Sequence, residues 1–318
     1  MFDVIALGEL LIDFASKCTD ENGYPTMAAN PGGAPGNFLA ALNTYGKKTA
    51  FLGKVGDDAF GELLLSTMKR AGIETRGIVM DPTVFTTLAF VTVDETGDRF
   101  FSFARKPGAD TQLTWEEVDK SLIDKAKVFH FGTLSLTTEP SRTTTQKAVA
   151  YARERGKLIT CDPNLRKPLW RSEEEAREQI LWSLHQADVV KISDDEVEFL
   201  WNCTPEEGAE KLLTECGVSL AMVTLGAKGC LLKTANACCR VSALTVRPVD
   251  TTGAGDIFGG SAVSRLLDLN KPIFQLTEDD LAFIGRFAAT AASLSTEFVG
   301  GIPSIPARSV VLACMEQL

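Results

Sequence analysis

At 318 residues, with 45% apolar and 23% charged side chains, the chain has the balance of an ordinary globular protein and the length to bury a large core. Its formal net charge of −10 argues against nucleic acid or an anionic membrane as a partner. No apolar run approaches the roughly 20 residues needed to cross a bilayer. No basic segment precedes the apolar run at residues 2–8, so no secretory leader is expected and the location is expected to be cytoplasmic. The eight cysteines include no Cys-x-x-Cys pair and read as reduced thiols. Two histidines, His130 and His185, lie too far apart for a zinc motif or a Ser-His-Asp triad to be favoured.

Residues 2–8 read as a strand buried on both faces. A helix is expected over residues 34–45, with Phe38, Leu42 and Tyr45 on its inner face and Gly46 as its stop. Strand 49–55 follows, then helix 58–71, which buries Leu63, Leu64 and Met68. Residues 86–104 break the rhythm. Stretches 88–93 and 99–103 flank Asp94-Glu95-Thr96-Gly97-Asp98, a loop that joins antiparallel strands. With residues 11–16 they are expected to build a small separate sheet, a lid over the active-site edge. Alternation resumes with helix 114–125, strand 127–131, helix 141–155, strand 157–161, helix 172–187 and strand 188–192. Residues 219–246 read as β-rich, and helices at 254–268 and 278–295 end the pattern. The class is α/β, with a mainly parallel sheet covered on both faces. One domain is expected over residues 1–318, its lid formed by about 11–29 and 86–105.

Three clusters carry chemistry. Asp250-Thr251-Thr252-Gly253-Ala254-Gly255-Asp256 follows an expected strand at 243–249 and opens a helix, where free N–H groups and the helix dipole make an anion site. Asp256 there suits a proton acceptor beside a phosphoryl group. A dinucleotide fingerprint is disfavoured, because Phe258 stands where its third glycine belongs; a plain structural glycine turn is the other alternative. Pro31-Gly32-Gly33-Ala34-Pro35-Gly36-Asn37 opens the first long helix and suits either sugar hydroxyls or a capping turn. Asp162-Pro163-Asn164-Leu165-Arg166 follows a strand, where ligands bind in such folds, and Arg166 offers a fork for phosphate oxygens.

In this order the clusters resemble the ribokinase-like family of sugar kinases, over nearly the whole chain. Gly8-Glu9-Leu10-Leu11-Ile12-Asp13, residues 53–58, 103–110 and 162–170, and Lys191-Ile192-Ser193-Asp194-Asp195-Glu196 are similar to its bacterial and plant fructokinases. The resemblance implies a three-layer α/β/α fold with a β lid and transfer of the ATP γ-phosphoryl to a sugar, fructose above all. Asp256 would be the base, and Gly253, Ala254 and Gly255 the anion hole. Asp13, Gly33, Asn37 and Arg105 would contact the sugar, and Arg166 the transferred phosphoryl. Ser193, Thr224, Gly226 and Gly229 would line the ATP side, and Glu196 would hold the Mg2+ shell through water. Asp250, Thr252, Ser295, Gly300 and Ser304 would surround K+, and two lids would pair in a homodimer. Gly36, Ile257 and Ser193 depart from the family's commoner residues. Kinases of 2-keto-3-deoxygluconate or of nucleosides, and from another class a non-catalytic sugar sensor, are the alternatives.

Overall fold

The computed structural model of the chain describes residues 1–93 and 99–316; the expected loop at 94–98 lies outside the described residues. Its strands are β1 (Phe2–Leu7), β2 (Leu11–Thr19), β3 (Pro25–Gly32), β4 (Thr49–Gly56), β5 (Glu74–Asp81), β6 (Leu88–Val93) and β7 (Arg99–Ala104). Then come β8 (Ala126–Gly132), β9 (Leu158–Asp162), β10 (Val189–Ser193), β11 (Leu220–Thr224), β12 (Cys230–Lys233) and β13 (Cys238–Val241). The helices are α1 (Ala34–Thr44), α2 (Ala59–Arg70), α3 (Lys120–Asp124), α4 (Ser141–Glu154) and α5 (Glu173–Gln186). They continue with α6 (Asp194–Trp201), α7 (Pro205–Thr214), α8 (Ala254–Leu269), α9 (Glu278–Ser295) and α10 (Arg308–Met315).

Alternation of buried side chains along apolar strands builds three layers. In β1, Ile5 and Leu7 join the core under α4–α7, while Val4 and Ala6 join the core under α1 and α2. In β11, Ala221 and Val223 face the first of these, and Leu220 and Met222 pack with Phe258 and Ile284 of α8 and α9. The nine-stranded sheet runs β13-β12-β11-β10-β9-β8-β1-β4-β5. Its pairings are parallel from β5 to β11 and antiparallel from β11 to β12 and from β12 to β13. The strand ends therefore open on one edge, where ligands bind in such folds. Among the described residues no helix is long and apolar enough to cross a membrane.

The second, smaller sheet has four strands, β3-β2-β6-β7. Residues 11–16 do join it, paired in parallel with β6. Successive side chains of β2 face opposite ways. Phe14 stacks on Phe90 and meets Phe60 of α2 edge-on, with ring centroids 5.3 and 5.6 Å apart, and Asp13 turns to the cavity on the other face.

Two expectations fail. The helix expected at 114–125 is confined to α3. Ahead of it the Thr114 N–H and Oγ1 donate to Glu117, and Asp119 caps the shorter helix; such local side-chain bonds compete with helix. Residues 243–249 are not a strand. Pro248 lacks a donor for a ladder, the Val249 N–H donates to Thr296 O, and the stretch walls a cavity instead.

Candidate active site

Helix α8 starts at Gly253, whose φ of 76° is left-handed, and no side chain caps it. Its first turn therefore presents backbone N–H groups and the positive end of the dipole. A Cβ at Gly253 would lie 3.1 Å from Asn37 Nδ2, and one at Gly255 3.0 Å from Lys191 Nζ. Glycine is what allows the turn to press on both. Helix α1 starts alongside, at Gly33 (φ 117°), and Glu9 accepts the Ala34 N–H at 2.9 Å.

The two helix starts meet at Asp256. Asn37 Nδ2 donates to Asp256 Oδ2 at 2.9 Å. Burial raises the Asp256 pKa, against the pull of the Asn37 hydrogen bond and of the Lys191 and Arg166 charges. Asp256 lines two cavities. One, of about 360 Å³, is walled by Glu9, Asp13, Gly33, Asn37, Asn164 and Arg166 among others. The other, of about 740 Å³, runs past Arg166, Lys191, Ser193, Glu196 and Gly255. Beyond it a third, of about 390 Å³, is walled by Thr224, Gly226, Gly229, Val246, Phe258 and Ala289 among others.

Most of the expected residues thus fall on one continuous cleft. Burial pushes Asp13 up to about 7 against the attraction of Arg166. Arg105 is placed differently from the expectation of a sugar contact. It is buried, with Nε and Nη2 on Asp110 Oδ2 at 2.8 and 2.6 Å and Nη1 on Thr137 Oγ1 at 2.8 Å. It braces the wall of the cavity rather than lining it. The Glu196 carboxylate is engaged as well, accepting the Leu165 N–H at 2.7 Å and the Ser193 N–H at 2.8 Å, in the capping box of α6. Asp250 accepts from the Thr252 N–H and Oγ1 and from the Gly300 N–H. Ser304 Oγ donates to Gly301 O in the same loop, while Ser295 Oγ donates back into its own helix.

Sequence reasoning did not assign roles to Lys191, Asp162, Glu9 or Asn164. Lys191 is buried beneath the glycine turn, 3.1 Å from Asp162. Burial opposes its charge, but the carboxylates of Asp162, Glu196 and Asp256 outweigh that, and its pKa is raised. A lysine inside the apolar run Val189-Val190-Lys191-Ile192 was the available signal, since a buried lysine needs a partner.

Moving a phosphoryl group onto a hydroxyl takes a proton acceptor at the hydroxyl and fixed positive charge at the phosphoryl oxygens. A carboxylate and fixed positive charge both lie where the cavities of about 360 and 740 Å³ join, and fold and site together define a phosphotransferase. Over residues 1–308 the chain matches the model of the pfkB family carbohydrate kinases, and it belongs to that family. It is 41% identical to fructokinase-2 of Solanum lycopersicum over 317 residues, 98% of this chain and 96% of that one. A crystal structure of fructokinase with bound ATP from Xylella fastidiosa superposes with a TM-score of 0.89 at 29% identity, covering 100% of this chain and 99% of that one. A double mutant of the fructokinase from Vibrio cholerae O395, in its fructose-, ADP- and potassium-bound form, gives 0.87 at 30% identity, covering 98% of each chain.

Proposed function

We propose that the chain transfers the γ-phosphoryl of ATP to the primary O6 hydroxyl of free fructose. The observation that carries this is the place of Asp256, held by Asn37 at the junction of the two cavities. Fructose occupies the cavity beside Asp13, Gly33 and Asn37. The phosphates lie along the cleft over Gly253-Ala254-Gly255, and the nucleoside reaches the third cavity past Thr224 and Gly226. Asp256 accepts the proton of the attacking hydroxyl. The α8 N-terminus, Arg166 and Lys191 stabilise charge on the phosphoryl oxygens. The likeness to a fructokinase with bound ATP and to one with bound fructose and ADP supports this reading.

Among the described residues no three His, Cys, Asp or Glu side chains gather as a metal cage. The cleft instead offers the oxygens of Asp194, Asp195 and Glu196, which suits Mg2+ that arrives on the nucleotide and keeps much of its water. When bound, Mg2+ neutralises phosphate charge. K+ in the loop of Asp250, Thr252, Gly300 and Ser304 is part of the proposal; it would stiffen the neighbouring glycine turn. Replacing K+ by tetramethylammonium at fixed ionic strength tests it: an unchanged kcat removes the ion from the mechanism.

An ADP-release assay across fructose, ribose, glucose, 2-keto-3-deoxygluconate and nucleosides tests the whole reading. Fructose is expected to give the highest kcat/KM. A higher value for a nucleoside or for 2-keto-3-deoxygluconate overturns it.

A further inference from the structure

We propose that Glu9 makes the acceptor cavity selective for uncharged sugars, so that acidic and already phosphorylated sugars are turned away. This rests on the reading of that cavity as the sugar side of the site.

Among the described residues, the charged groups on its wall are the carboxyls of Glu9, Asp13 and Asp256 and the guanidinium of Arg166. The neighbouring cation, Arg105, is already engaged: its Nε and Nη2 bind Asp110, its Nη1 binds Thr137, and its Nη2 also donates to Leu134 O at 2.9 Å. A carboxylate or phosphate on the incoming sugar would therefore meet three carboxyls for one cation. Like charges brought together in a desolvated site weaken binding strongly, which is how sites reject wrong ligands.

Each of the other two carboxyls has a task in the proposed reaction. Asp256 takes the proton, and Asp13 reaches in from the lid. Glu9 takes part in no step. It is 2% exposed, set at the turn between β1 and β2, and oriented by the Ala34 N–H on its Oε1. Burial pushes its carboxyl up to about 7, Arg105 pulling the other way and Asp110 adding to the rise. Near neutrality such a group both donates to and accepts from hydroxyls, whereas an anion beside it would have to force a proton onto it. The product of the reaction is itself anionic, so the same charge favours its departure.

The test compares wild type, Glu9→Gln and Glu9→Asp. For each, at pH 8, where a carboxyl with a pKa of about 7 is largely charged, KM for fructose is measured, with inhibition constants of 2-keto-3-deoxygluconate and fructose 6-phosphate against fructose. Wild type is expected to bind the acid on the order of 100-fold more weakly than fructose. Glu9→Gln should narrow that ratio about tenfold by tightening both anions, a change of about 1.4 kcal/mol. Glu9→Asp should keep the ratio. A Glu9→Gln enzyme that weakens fructose and the anions alike has lost a brace for Ala34 and no more, which overturns the proposal. So does a wild type that binds the acid as tightly as fructose, a measurement that needs no variant to fold. Failure to phosphorylate any neutral sugar sinks the sugar-kinase reading together with this one.

Discussion

Asn37 Nδ2 and Asp256 Oδ2 are 2.9 Å apart across 219 residues of sequence, and that bond joins the proposed acceptor half of the site to its proposed base. Replacing Asp256 with Asn keeps the shape and removes the proton acceptor. A fall of about 10²–10⁴-fold in kcat is expected, and turnover near wild type would discard Asp256 as the base. Replacing Asn37 with Ala removes a donor that lowers the Asp256 pKa. The base works unprotonated, so activity is lost as pH falls through that pKa. The acid limb of the kcat profile should therefore move to higher pH in Asn37→Ala.

Gly260 lies one turn beyond Asp256 on α8, where a Cβ would come 2.4 Å from Phe38 O and 2.9 Å from Ala41 Cβ of α1. Gly260→Ala must part the two helices. A displacement near 1 Å costs on the order of 10² in rate. The kcat of Gly260→Ala should fall on that scale and its acid limb should move upward as in Asn37→Ala, while KM for ATP changes little. An unmoved limb would show that the helix spacing does not govern the Asn37–Asp256 bond.

Asp13→Asn should give a more stable and less active protein above neutrality. The folded pKa of about 7 lies above the ordinary 3.8. The carboxyl's favourable share of stability is therefore complete below about pH 4, and is lost as pH rises through 7. At pH 8 the variant should gain about 2–4 kcal/mol, with no gain at pH 4. Thermal unfolding at both values checks it.

Lys191→Met would leave Asp162 buried without its countercharge, and a loss of about 3–5 kcal/mol is expected. Adding Asp162→Asn to the same chain should recover much of it without restoring turnover. Urea unfolding of single and double variants separates the ion pair's part in stability from its part in charge stabilisation at the phosphoryl.

Much of this was legible in sequence, unevenly. Apolar runs such as residues 2–8 and helix punctuation such as Gly46 are local signals, and their elements lie where expected. Helices α6 and α7 were overlooked although Ser193/Glu196 and Thr204/Glu207 form capping boxes, because their apolar faces are short. Asp256 and the glycine turn were readable because one contiguous motif carries them. Glu9 and the Lys191–Asp162 pair were not, since their meaning depends on which strands lie side by side. The engagement of Arg105 by Asp110 is likewise a fact of packing, and a lone arginine in sequence looks the same whether it meets a ligand or a wall.

The lid sheet ends in the edge strands β3 and β7, and unpaired edges are usually covered. A homodimer that pairs two lids is expected, with a light-scattering mass twice that of one chain at micromolar concentration. A monomer mass would exclude it.

The order of the strands carries a consequence for synthesis. Helix α8 follows β13, at the far edge of the sheet, yet packs beside α1, so the chain returns across the molecule to deliver Asp256. On the ribosome, where N-terminal parts emerge and fold first, a chain halted before residue 250 already holds β1, α1 and the lid strands. It has no base and no glycine turn. By the proposed mechanism, unfinished chains would therefore be unable to consume ATP, and activity would have to wait for the residues beyond 250.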